Sequence, residues 1–324
     1  MPTSTSRAPG SLGSNGLPSL DALRFIYVTG KGGVGKSTAT AALARAMAAR
    51  GRRVLVCMTN AKERMSGMLG SPPIGPEIVS AAPNIDAVNM EPRKCLEEYG
   101  VMILKVKALY KALFENRYVD SFFRAVPGLY EWSMLGKAWY HTTELLSGKT
   151  SDDVDAPYAD GWKYETVIVD GPATGHGLDM LRVPRVLLDV APAGPMRKEA
   201  ERAWRLFQDP SHAGVVMVTL PEEMPANETL ELAEGVREMN LPIPRLVVNG
   251  LLPPLFQHEQ RGLLLARELP LGLTSAHARA SREQIQEDAL AKLATLKLPT
   301  SYLPFLVNQE PSSPQAILAL AHHL

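Results

Sequence analysis

The sequence predicts an α/β fold built on a mostly parallel, twisted sheet flanked by helices, and three observations carry that reading. Phe25-Ile26-Tyr27-Val28 is a short, continuously apolar run of the kind buried on both faces of a sheet. A Gly-rich stretch follows, then an Ala-rich helical stretch from about Lys36 to Arg50, stopped at Gly51. Val54-Leu55-Val56-Cys57-Met58 is a second apolar run. Strand, helix and strand within ~35 residues form one βαβ unit, whose crossover makes the two strands parallel.

The remaining elements continue the pattern. Strands are predicted at Ile85–Met90, at Tyr164–Val169 ending on Asp170, at Val215–Thr219, at Arg245–Val248 and around Tyr302. Helices are predicted at Ala226–Met239, Leu263–Leu269 and Ala276–Leu296. From Arg93 to about Ser147 the pattern is helical without a strand. The interval Tyr99–Tyr140 holds 10 of the chain's 20 aromatic residues, which predicts a helical subdomain with its own core and an apolar surface for a partner. Lys149–Gly161 is polar and reads as an exposed connection. No internal repeat is present. The expected organisation is a disordered tail over residues 1–22, where 13 of the first 20 are Ser, Thr, Gly or Pro, then one domain over 23–324. Helical subdomain elements are expected at about 92–148 and 178–212.

Composition narrows the function classes. The 324 residues carry 34 Lys plus Arg against 34 Asp plus Glu, so no basic surplus exists to hold a nucleic-acid backbone. No apolar run reaches the ~20 residues of a membrane span, so stable membrane insertion is not expected. Two cysteines, Cys57 and Cys95, are too few for a disulfide scaffold or a four-cysteine metal site, and they fit a reducing, cytoplasmic compartment.

The strongest motif is Gly30-Lys31-Gly32-Gly33-Val34-Gly35-Lys36-Ser37-Thr38, a G-x-x-x-x-G-K-S pattern between a strand and a helix. Its glycines let backbone N–H groups face phosphate oxygens, and the helix amino end adds positive potential. Lys36 would reach the β/γ-phosphates and Ser37 would meet Mg²⁺, so the expected ligands are ATP and Mg²⁺. Asp170, at a strand's carboxyl end, would hold the Mg²⁺ through water.

With Lys31 as a second lysine, the loop resembles the deviant Walker A motif of the MinD, ParA, nitrogenase iron protein and ArsA group. That resemblance implies a dimer in which Lys31 reaches the partner's nucleotide. Asp170-Gly171-Pro172-Ala173-Thr174-Gly175-His176-Gly177-Leu178 resembles switch II of the ArsA and GET-pathway targeting ATPases, roughly Asp-Thr-Ala-Pro-Thr-Gly-His-Thr-Leu. Within that resemblance His176 is a candidate γ-phosphate sensor. Pro127-Gly128-Leu129-Tyr130-Glu131, Pro221-Glu222 with Glu228-Thr229, and Glu310-Pro311 resemble further landmarks of the family, and Asn249 matches its adenine-reading Asn. The overall layout is similar to the short bacterial ArsA-like ATPases that occur as paired paralogues. It implies an ATP-hydrolysing homodimer, or a heterodimer with such a paralogue, acting on an unidentified client protein.

Three departures stand out. Where the family's switch I reads Thr-Asp-Pro-Ala-His-x-Leu, this chain has Thr59-Asn60-Ala61-Lys62-Glu63-Arg64-Met65, so Asn60 replaces the catalytic aspartate. An amide orients water but cannot accept its proton, which slows hydrolysis. Glu63 is the candidate substitute carboxylate, and Lys62 and Arg64 are candidates for pairing with phosphate or partner. An ATP-binding pseudoenzyme, completing or regulating a paralogue's site, is the alternative. The C-x-x-C zinc clasp of the eukaryotic factors is absent, and His141, His322 and His323 read as surface residues. Finally, the segment after switch II is short for a transmembrane-helix groove, and two cysteines are too few for the three-cysteine metalloid site of the arsenite-pump ATPases, which disfavours arsenite (anion) transport.

Overall fold

In the computed structural model, the described residues are 20–104, 128–151, 161–190, 193–266, 274–307 and 310–324. They form an eight-stranded sheet with helices on both faces. The strands are β1 (Phe25–Gly30), β2 (Val54–Thr59), β3 (Val79–Ala82), β4 (Ile85–Met90), β5 (Thr166–Ala173), β6 (Ala213–Thr219), β7 (Arg245–Leu251) and β8 (Thr300–Pro304). Their order is β3-β4-β2-β5-β1-β6-β7-β8. Every neighbouring pair is parallel except β3 with β4.

The helices are α1 (Lys36–Ala49), α2 (Met65–Leu69), α3 (Pro92–Leu104), α4 (Leu129–Thr142), α5 (Thr174–Val190), α6 (Pro195–Gln208), α7 (Glu223–Glu238), α8 (His258–Leu265), α9 (Thr274–Ala294) and α10 (Pro314–Ala321). The two-residue period of the central strands divides the core. Phe25, Tyr27, Val167 and Val169 face the layer that includes α4 to α7, with Trp132, Met180, Trp204 and Leu232. Ile26, Val28, Val56 and Ile168 face α1, α2 and α10, with Leu43, Met65 and Ile317. Helix α1, which follows the glycine-rich motif, and helix α5 therefore lie on opposite faces of one sheet, joined through β1 and β5.

Several differences from the sequence reading have local causes. β3 is an additional edge strand of small residues, Val79-Ser80-Ala81-Ala82, which carry little strand signal of their own. It folds back onto β4 across Pro83-Asn84, where Asn84 takes a φ of 59°. Leu20–Ala22, which the sequence reading places in the tail, form a 3₁₀ turn with Leu20 buried under the α1 layer. His141 is buried rather than on the surface; its Nδ1 lies 2.7 Å from Glu144, whose other oxygen accepts from Lys163. Most of the aromatic-rich interval, and most of the polar connection after Lys149, lie outside the described residues.

Candidate functional site

β1 ends at Gly30 and α1 starts at Lys36, so the loop between them spans only five residues. Two glycines make the turn possible. A Cβ on Gly30 would stand 2.2 Å from the Val218 carbonyl oxygen, and one on Gly35 would stand 2.2 Å from the Asn249 amide nitrogen. Gly35 also has a φ of 88°, a left-handed conformation that L side chains disfavour, and it forms the N-cap of α1. Gly33 shares that conformation and faces open space, with no protein atom near where a side chain would be. Val34 turns inward and is buried, while Gly32 and Gly33 are exposed. The loop thus presents backbone and glycine edges outward, directly ahead of the uncapped α1 N-terminus.

The polar side chains converge beneath it. Ser37 Oγ donates to Asp170 Oδ2 at 2.6 Å, and Thr40 Oγ1 donates to Asp170 Oδ1 at 3.3 Å. Ser37 and Thr40 are one turn apart on α1, which is why both reach one carboxylate. Thr59 Oγ1 donates to the Asp170 backbone carbonyl at 2.9 Å, tying the end of β2 to the end of β5. Burial pushes the Asp170 carboxyl above its ordinary value, and the Ser37 hydroxyl, the Lys36 ammonium and the Thr40 hydroxyl oppose that push. Burial lowers the Lys36 ammonium below its ordinary value, against the attraction of Asp170. Lys36 Nζ donates to the Lys31 carbonyl at 3.0 Å, spanning the loop from inside. A hard-oxygen carboxylate, a hydroxyl, an ammonium and a helix N-terminus are the donor set that suits Mg²⁺ and phosphate together.

The other candidates divide. Lys31 pairs with Glu228 on α7, bridging the loop to the strand-β6 side of the sheet. Thr38 is half-buried on the first turn of α1. Asn249, near the end of β7, donates from Nδ2 to the Val34 carbonyl at 2.9 Å, so it braces the loop from behind. His176 is exposed on the first turn of α5. Asn60 is exposed and carries a φ of 50°. It lines a cavity of about 660 Å³ with Asn89, Glu91, Arg93 and Tyr130, at the mouth of β2 and β4. Asn89 holds the same loop by its side chain, accepting from Ala61 N and donating to Ala61 O. Glu63 is engaged on its own loop: it accepts from the Ser66 backbone N at 2.8 Å and from Ser66 Oγ at 2.6 Å, at the first turn of α2. Lys62 and Arg64 are exposed.

Sequence reasoning missed Thr40, Thr59, Asn89 and the binding of Lys31 by Glu228. Thr40 alone had a signal, its i+3 spacing from Ser37. The others depend on which strands end side by side.

Residues 23–192 and 193–267 match the sequence model of the anion-transporting ATPase family, named for ArsA. The chain belongs to this family. It is 30% identical to the ATPase BagA of Mycobacterium tuberculosis over 246 residues, 74% of this chain and 69% of that protein. It is 26% identical to an arsenical pump-driving ATPase of Acidiphilium multivorum over 280 residues, 77% of this chain but 44% of the relative. It is also 23% identical to an ATPase ASNA1 homolog of Entamoeba dispar over 275 residues, 71% of this chain and 77% of the relative. An ATPase of the ArsA type fits the parallel sheet and the loop geometry described above. Among the described residues, no helix is long and apolar enough to cross a membrane.

Proposed function

We propose that this ArsA-family chain binds Mg-ATP at the Gly30–Thr38 loop and that the bound nucleotide sets the position of switch II and the helical layer behind it. The observation that carries the reading is the convergence of Ser37 and Thr40 on the buried Asp170 carboxylate at the N-terminus of α1, with the Lys36 charge acting on the same carboxyl. In this reading Lys36 and the loop amides bind the phosphates. Ser37 and, through water, Asp170 would hold Mg²⁺, which would supply charge to offset that of the phosphate oxygens. Asn249 gives up the Val34 carbonyl to read the adenine edge. Lys31 leaves Glu228 to contact the nucleotide of a second subunit, either a copy of this chain or an ArsA-like paralogue, and the helical layer engages a client protein. Lys36→Ala should weaken Mg-ATP binding by about 2–3 kcal/mol, roughly 30–150-fold, because a charge-assisted contact to phosphate is lost. Isothermal calorimetry reads this directly, and unchanged affinity would remove the P-loop from the function.

A second reading has its own observation. Asn60 holds a left-handed backbone position at the mouth of the cavity, and the nearby carboxylate of Glu63 is committed to Ser66. Without a proton acceptor at switch I, the chain would bind ATP and regulate or complete a paralogue's site while hydrolysing little itself. Transport of arsenite or another anion is the least supported alternative, because only two cysteines are present.

A further inference from the structure

Switch II begins where β5 ends, and its departures from the family pattern meet two side chains of β1. Tyr27 and Thr29 project from the same face of that strand, the face opposite α1. The Tyr27 ring lies against Gly171: a Cβ there would come within 2.8 Å of the ring and 2.7 Å of the Val28 carbonyl oxygen. One turn into α5, a Cβ on Gly177 would come within 2.7 Å of Thr29 Oγ1. The Thr residues that the family resemblance would put at these two positions cannot fit beneath this β1. Glycine at 171 and 177, with Tyr at 27 and Thr at 29, forms a matched set that lets switch II lie directly on the strand leading into the phosphate loop.

The set is also bonded. Tyr27 is buried and its hydroxyl donates to the Gly177 carbonyl at 3.2 Å. Burial, and then the Asp170 charge, push the phenol far above its ordinary value, so it remains a donor at any working pH. The Gly177 carbonyl sits in the first turn of α5. Thr29 Oγ1 is buried without a hydrogen-bond partner, a cost that is borne at the contact with Gly177.

We propose that Tyr27 and Thr29 are positioning residues for switch II: the Tyr27 hydroxyl latches the first turn of α5 onto β1, and Thr29 is the stop against which Gly177 rests. The inference rests on the reading that the Gly30–Thr38 loop binds nucleotide. Because β1 runs straight into that loop, a displacement of switch II that lifts the first turn of α5 off β1 when a triphosphate replaces a diphosphate breaks the Tyr27–Gly177 bond. Tyr27 therefore sets the preference between the two nucleotides without touching either.

The test uses the full chain with Mg²⁺ and measures affinity for a non-hydrolysable ATP analogue and for ADP. Tyr27→Phe keeps the ring and removes the hydroxyl, and it should change the ratio of the two affinities at least threefold. Thr29→Ala removes the stop and should change the ratio as well. Both affinities scaling together, or a ratio altered less than threefold in both variants, would show a purely structural contact and overturn the proposal. A parent chain that binds neither nucleotide would overturn the P-loop reading and this inference with it. Parent binding of both nucleotides with an unaltered variant ratio would overturn this inference alone. Thermal melting checks the contact independently of ligand. Gly177→Ala should lower the melting temperature, and Thr29→Ala in the same chain should recover at least half of the loss; no recovery would show that Thr29 is not the stop.

Discussion

The phosphate loop and switch I sit at the carboxyl ends of β1 and β2, two strands separated only by β5, yet their polar groups are used in opposite ways. At the phosphate loop, side chains from α1 converge on Asp170 of β5, and the backbone faces outward. At switch I, the side-chain bonds hold the loop itself, from within by Glu63 and from β4 by Asn89. Glu63 caps α2, and Asn89 is bonded at both ends of its amide to Ala61. The first region is a preorganised site whose members lie far apart in sequence. The second is a loop held by local bonds, on which Asn60, Lys62 and Arg64 are exposed and Asn60 lies beside the cavity. Preorganisation is what makes charged and dipolar groups effective catalysts. In the proposed reading, the difference separates a nucleotide-binding half from a hydrolytic half that Asn60 would weaken.

The largest effect that could break this comparison lies at Asp170. Asp170→Asn should weaken Mg²⁺-dependent ATP binding by roughly tenfold or more, since hydrogen bonds and ion contacts to a charged acceptor are worth about 1.5–3 kcal/mol. The same carboxyl gives the site a pH signature. Its ordinary value is raised by burial, so the proton competes with Mg²⁺ at a pH above the usual carboxylate range. Affinity should fall as pH drops through that raised value. It should also fall as pH rises through the lowered value of Lys36, where the phosphate-binding charge is lost. The linkage to stability runs the other way for Asp170: ionising it inside the fold costs stability, so this group favours the fold most when protonated. Titrating Mg-ATP affinity against pH checks both limbs. Persistence of the acid limb in Asp170→Asn would assign it to another group.

How much of this was legible beforehand follows the same division. The β1–α1–β2 unit announces itself because a buried parallel strand has no polar face and the turn after it admits only glycine at 30 and 35. Asp170 was legible as a polar residue ending an apolar strand. What could not be read was anything fixed by strand order. Only when β5 inserts between β1 and β2 does Thr59 reach Asp170, and only the parallel packing of β6 beside β1 brings α7 and Glu228 to Lys31. The β3 edge was invisible because four small residues give no period. Tyr27 read as core from the sequence, and it is core, but its hydroxyl has a task that only the register with β5 reveals.

The next effect in size tests switch I. Asn60→Asp should raise single-turnover ATP hydrolysis tenfold or more, at least ~1.4 kcal/mol of barrier, if a missing carboxylate is the whole defect. Aspartate tolerates the left-handed backbone at this position nearly as well as asparagine, so the loop should not rearrange. No gain would mean that the self-satisfied loop, held by Asn89, is in the wrong place for catalysis, which favours the pseudoenzyme.

A smaller effect is expected at Lys31. Its ion pair with Glu228 is half-exposed, so breaking it costs the monomer little. Lys31→Ala should leave ATP binding within a few-fold of the parent while weakening nucleotide-dependent dimerisation, with itself or with an Asp-bearing paralogue. Glu228→Gln removes the competing charge and should strengthen that dimerisation a few-fold. Analytical ultracentrifugation with and without nucleotide separates the outcomes. Equal dimerisation in all three chains would reduce Lys31 to a surface lysine.

The smallest effect is at Glu63, and it decides whether switch I holds a hidden base. Its two carboxylate oxygens accept from the Ser66 backbone N–H and hydroxyl, which is the bonding of a helix cap. Glu63→Gln keeps one acceptor oxygen and the side-chain length, so α2 should lose no more than about 1 kcal/mol of stability. Hydrolysis should be unchanged, because a carboxylate whose two oxygens are each engaged by a donor of Ser66 is poorly placed to take a proton from water. A general base contributes roughly 10²–10⁴-fold, so its removal could not be mistaken for a capping defect. A rate loss of that size in Glu63→Gln, with the melting temperature intact, would mean that Glu63 releases Ser66 when nucleotide binds and that switch I is a working catalytic loop with its carboxylate moved three residues along the chain.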